Sequence, residues 1–79
     1  MSHVIKFHGT VNEWYGCLEF EGNKASINDV KNNIKLLFEN HYCVKADKIN
    51  YIRYNKFVIY YGNDIIIAEV IDIVEFISF

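Results

Sequence analysis

Four residues of this 79-residue chain are of the types that perform chemistry at short spacing: His3 and His8 near the start, and His41 with Cys43 in the middle. A structural zinc site takes four nitrogen or sulfur ligands, and a catalytic one takes three with an open position. The chain has two cysteines, Cys17 and Cys43, and no four-ligand spacing, so no metal is expected. A cysteine nucleophile needs its histidine base within hydrogen-bond reach, and a separation of two residues along the chain is not that geometry. The glycines Gly9, Gly16, Gly22 and Gly62 stand singly, so no loop is present to cradle phosphates. Asp64, Glu69, Asp72 and Glu75 read as a solvated face, since nothing in their spacing implies paired carboxylates of unequal pKa. The residues point to no catalysis and to no cofactor.

Binding is the remaining chemistry. Lys48, Tyr51, Arg53, Tyr54 and Lys56 interleave basic and aromatic side chains, as single-strand nucleic-acid binders do. Yet the whole chain has eight basic residues against ten acids, a net charge of −2, so the broad basic footprint of a nucleic-acid binder is missing. RNA contact is at most a secondary role. With 52% hydrophobic residues the chain is too apolar to be disordered. No apolar run reaches the roughly 18 residues that span a bilayer, and no leader is expected, since polar residues and not a long apolar stretch follow Met1 to Lys6. The two thiols read as buried or half-buried in a reducing compartment rather than as a disulfide. The core must then come from twelve isoleucines, six phenylalanines and six tyrosines, a composition that leans toward strands.

The elements that position these residues follow from periodicity. Ile5 and Phe7 alternate with Lys6 and His8, the period of a strand with one buried face, over His3 to Thr10. Val11 to Gly16 reads as a hairpin connection, and Cys17 to Glu21 as a second strand closed by Gly22-Asn23. From Ser26 the period changes. Ile27, Val30, Ile34, Leu37 and Phe38 fall on one helical stripe, with Ser26 as N-cap, Asp29 in the first turn, and Lys31 and Lys35 on the outer face. The helix is expected to run to about His41. Lys48 to Tyr54 and Phe57 to Tyr61 read as strands joined at the turn signal Asn55-Lys56. Gly62-Asn63-Asp64 breaks the chain, Ile65 to Ala68 reads as a helical turn or packed loop, and Asp72 to Ser78 as the last strand. Residues 1–79 thus form one α+β domain. A mixed sheet of four to five strands carries one main helix on one face, with the first and last strands parallel and adjacent, the ubiquitin-like β-grasp arrangement.

The stretch Phe20-Glu21-Gly22, three residues, then Ser26-Ile27-Asn28-Asp29-Val30-Lys31-Asn32-Asn33-Ile34 resembles the signature of the DWNN domain. That domain is the ubiquitin-like module of the retinoblastoma-binding protein 6 family. The opening Met1-Ser2-His3-Val4 with Lys6-Phe7, and Lys45-Ala46-Asp47 before the third strand, are similar to further family stretches. The departures are an opening one residue shorter, a longer hairpin connection, no proline before the last strand, and Glu75-Phe76 where the family has a basic pair. The likeness is therefore good over about the first 40 residues and loose beyond. It implies a nuclear, non-catalytic domain that docks on the endonuclease subunit of the pre-mRNA 3′-end cleavage and polyadenylation machinery. Longer family members add zinc-knuckle and RING segments, which two cysteines cannot build.

One helix covers one face of a sheet, which leaves apolar area over. With Val74 and Phe76 toward the helix, Ile73, Glu75 and Ile77 point away, joined by Ile52 and Tyr54 beside Lys6 and His8. Lys6, Ile52, Tyr54, Ile73, Glu75 and Ile77 are thus the expected partner-binding residues, on the open face through which ubiquitin-like domains commonly bind. The expected partner is a protein, and the chain alone is expected to be a monomer. The alternative is a small single-domain inhibitor, from a phage or mobile element, that binds a host or defence protein.

Overall fold

The two periods of the sequence become two layers in the computed structural model, which describes residues 2–9, 13–20, 22, 24–53, 55–71 and 74–77. The elements are β1 (Ser2–His8), β2 (Glu13–Glu19), β3 (Lys24–Ser26), α1 (Ile27–Tyr42), β4 (Lys48–Ile52), β5 (Lys56–Tyr61), β6 (Asp64–Val70) and β7 (Glu75–Ile77). Five strands form an antiparallel sheet in the order β2-β1-β6-β5-β4, and β3 pairs with β7 in a small parallel sheet. The helix packs on one face, so the chain has the expected α+β, β-grasp-like architecture.

Helix α1 starts where Ser26 accepts a hydrogen bond from the Asp29 amide through its side chain, which satisfies one of the orphan donors of the first turn. It ends at Cys43, which takes the left-handed conformation at φ 57° and donates its N–H to the Glu39 carbonyl. Val30, Ile34 and Phe38, four residues apart, are buried along one stripe. Opposite them lie Ile5, Phe7, Leu18, Ile49, Phe57, Ile59, Ala68 and Val70 from the sheet. Each large aliphatic or aromatic side chain buried in this way contributes roughly 1.5–3 kcal/mol. Gly16 lets the layers close: a Cβ there would lie 3.3 Å from Leu37 Cδ1 and 3.4 Å from Phe7 Cε1.

Three expectations change. The strand β2 begins at Glu13, not Cys17, because Trp14, Gly16 and Leu18 alternate toward the helix within what reads as a polar connection. The run Ile65 to Ala68 is neither turn nor loop but part of β6, the central strand. The two-residue link Gly62-Asn63, with Gly62 at φ 58°, reverses the chain at once, and β6 then pairs with β5 from Asp64 to Glu69. The strand carries apolar residues on both faces, Ile66 and Ala68 toward the helix and Ile65 and Ile67 away from it, which is why the run hides its period. Finally, β1 and the last strand are not neighbours. The place beside β1 is taken by β6, which runs antiparallel to it, and the parallel pairing falls instead between β3 and β7.

Candidate docking face

The register assigns every described sheet residue to one of two faces. The face away from α1 carries Ser2, Val4, Lys6 and His8 of β1, and Glu13, Tyr15, Cys17 and Glu19 of β2 opposite them. Across the other half it carries Ile65, Ile67 and Glu69 of β6, Lys56, Val58 and Tyr60 of β5, and Lys48, Asn50 and Ile52 of β4. One row runs straight across all five strands: Tyr15, Lys6, Glu69, Lys56, Ile52. Beside it Val58 faces Ile67, and Tyr60 faces Ile65, which makes an apolar block of four. Ile65 is 52% exposed, Tyr15 60% and Ile52 43%, so the block and both flanks meet solvent.

Charges on this face are organised along its β1–β2 side. Lys6 Nζ donates to Glu13 Oε1 at 2.7 Å, a diagonal cross-strand pair. The Glu13 hydrogen bond and charge hold Lys6 above its ordinary value of 10.5, and Lys6 in turn holds Glu13 below the usual carboxylate range. Glu19 is held low as well, first by the Ser2 hydroxyl that donates to it. Lys56 and Lys6 both stand opposite Glu69 in the register. The result is an apolar block beside one charged row. Five strands at about 4.8 Å spacing and seven residues at about 3.3 Å give a face of roughly 19 by 23 Å. That plan area, roughly 440 Å², is about half of the ~800 Å² that one partner contributes to a standard interface.

Of the six expected binding residues, the structure brings two together. Lys6 and Ile52 share the cross-sheet row on the open face. Glu75 and Ile77 do not join them. The half-buried Phe76 between them packs on Tyr51 and Phe57 at ring-centroid distances of 5.4 and 5.6 Å, on the helix side of the main sheet. Glu75 and Ile77 therefore sit on the outer face of the small parallel sheet, with Glu75 4.0 Å from Lys24. The inward orientation of Val74 and Phe76 is as expected; the layer to which their strand belongs is not. Tyr54 and Ile73 lie outside the described residues. Sequence reasoning missed Val58, Tyr60, Ile65 and Ile67, and the signal for them was the Gly62-Asn63 turn, which demands a partner strand on either side.

The other residues singled out for chemistry are dispersed. His3 and His8 lie on opposite faces of β1. His3 is buried, stacks on Phe20 at 3.9 Å and hydrogen-bonds through Nε2 to the Gly22 carbonyl. His41 stacks at 3.8 Å on Trp14, whose other face rests on Phe7 at 3.9 Å and whose indole N–H donates to the Tyr42 hydroxyl. Cys43 is occupied as the helix cap, and both thiols are exposed rather than packed, in contrast to the expectation. Asp64 and Glu69 stand on opposite faces of β6 and Glu75 on β7, while Asp72 lies outside the described residues. Among the described residues no three of His, Cys, Asp and Glu are grouped to hold a metal ion. Tyr51 is not a stacking platform for bases, because it packs on Phe57 and Phe76 inside the domain. No helix among the described residues is long and apolar enough to cross a membrane. No family model, curated protein or solved structure matches the chain.

Proposed function

We propose that this chain is a non-catalytic protein-interaction domain that docks through its open sheet face. The observation that carries the reading is the apolar block Val58, Tyr60, Ile65 and Ile67, flanked by Ile52 and by the charged row Lys6, Glu69 and Lys56, on a sheet face that no element among the described residues covers. Such a surface gains from burial against a partner, while its charges fix register and exclude wrong partners. The mechanism is binding energy alone: a preformed face shifts the conformational balance of what it binds. The resemblance of residues 20–34 to the DWNN signature supports the endonuclease subunit of the 3′-end cleavage machinery as the partner. That support rests on the helix and the segment leading into it, not on the strand polarity.

Calorimetric titration of the chain with that subunit tests both parts. Binding by the wild type, weakened at least about tenfold by Ile65→Asp or Ile52→Asp, is the expected result. The exposed helix residue Leu36 is the control, and Leu36→Asp should bind as the wild type does. No affinity of the wild type overturns the partner. Undiminished binding by the two sheet variants overturns the face.

A further inference from the structure

A second surface stands apart from the open face. Six of the eight basic residues, Lys31, Lys35, Lys45, Lys48, Arg53 and Lys56, lie on β4 or on the segments beside it, while β2 at the opposite edge carries Glu13 and Glu19. Between α1 and β4 the surface sinks into a recess of about 250 Å³, and three of these lysines line it: Lys31 and Lys35 from the helix and Lys48 from the strand. The lysines are one helical turn apart on α1, a like-charge spacing that weakens a helix. Two lysines outside the recess have carboxylates, Lys6 with Glu13 and Lys24 with Glu75. Among the described residues no carboxylate lies within ion-pair distance of Lys31, Lys35 or Lys48.

The rest of the lining fits the same chemistry. Asn32 and Asn50 add amide donors, and the recess rests on Ile49 and Ala46. Asp47 is the one acid in the lining, and its Oδ2 accepts the Gly62 N–H at 2.7 Å, which engages part of its charge at the β5–β6 turn. Three cations and two amides around one concavity, with a single acid already hydrogen-bonded, form a place for a compact polyanion. We propose that the recess between α1 and β4 binds an oligophosphate group, of the kind carried as the di- or triphosphate of a nucleotide or found as free inorganic oligophosphate. Each lysine contributes a charge-assisted hydrogen bond to a phosphate oxygen, and the bound anion relieves the repulsion among the three. Lys48 and Asn50 also belong to the open face, so the recess lies at the outer edge of β4 and borders the docking face there; it does not rest on the docking reading, because its test uses the chain alone.

Titration calorimetry of the full chain with inorganic tripolyphosphate at low ionic strength tests the site. Saturable binding at one site is expected, weakened about fivefold by each of Lys31→Gln, Lys35→Gln and Lys48→Gln, and abolished by all three together. Lys24→Gln, which changes the same charge elsewhere, should leave it unaltered. A parallel titration with ATP separates the sources: tighter binding than tripolyphosphate assigns a nucleotide, equal binding assigns the phosphates alone, and either supports the site. No saturable binding overturns it. So does an equal loss with Lys24→Gln, which marks diffuse charge. Tighter binding of a short oligouridylate than of either probe also overturns it, in favour of nucleic acid. Unchanged far-UV circular dichroism of the variants shows that each loss is local.

Discussion

Cys43 illustrates how much one backbone angle constrains a residue. It holds φ 57° at the helix end, where its N–H reaches the Glu39 carbonyl, and Glu39 also accepts the Ala46 N–H through its side chain at 2.9 Å. The left-handed conformation costs a residue with a Cβ roughly 1–2 kcal/mol, part of which glycine returns as greater freedom in the unfolded chain. Cys43→Gly is therefore expected to raise stability by about 0.5–1 kcal/mol. The check is a urea titration, in which the midpoint rises and the slope is unchanged. Among the described residues the exposed thiol makes only a weak approach to the Asn40 carbonyl at 3.9 Å, on which this outcome does not depend.

At the scale of elements, the β1–β2 hairpin holds its two acids below the usual carboxylate range, Glu13 by Lys6 and Glu19 by Ser2. A carboxyl whose pKa is lowered by folding adds stability that is present above its unfolded value and lost as pH falls through the folded one. Lys6 is the reverse case: raised by folding, its contribution holds below 10.5 and disappears as pH climbs through the folded value. Acidification below the ordinary carboxylate range is thus expected to loosen this hairpin before the β4–β5–β6 meander. Hydrogen exchange resolved by residue checks this, and Glu13→Gln should remove part of the acid sensitivity. All three groups are exposed, so the effect is modest. Helix α1 was legible in detail, from the Ser26 cap through the stripe of Val30, Ile34 and Phe38. Strand β6 was not. Its apolar run carries no period, and the residue pairs that define it come from β5 and β1, distant in sequence from one another.

For the whole molecule, the decisive feature is how the last residues return. Val74 is buried and Phe76 half-buried over Tyr51 and Phe57, and β7 lies against β3 just before the helix. The chain end thus covers a side of the core that α1 does not reach. Ending the chain after Ile71 should cost about 2–4 kcal/mol from the two lost side chains. For a domain of this size that lowers the thermal midpoint by several degrees per kcal/mol, as differential scanning calorimetry would read. The Phe7–Trp14–His41 stack lies at another part of the domain, so the indole fluorescence of the folded truncated chain should be unchanged. A full-length-like midpoint would show that β7 contributes nothing to the core.

The sequence by itself determined what each residue is fit for. It set the strand period of β1, the helical stripe and its cap, the turn at Gly62, and the surplus of apolar side chains that one helix cannot cover. Those are local properties, written in neighbours within a few positions. Only the tertiary structure decided which apolar residues form the open face, because strand order and register depend on pairings between distant segments, and a single change of neighbour moves a strand to another layer. It left Lys6 and Ile52 in one row, sent Glu75 and Ile77 to the small parallel sheet, and put Val58, Tyr60, Ile65 and Ile67 in their place. It also drew Lys31, Lys35 and Lys48 around one recess, a juxtaposition of helix and strand that no spacing along the chain reveals.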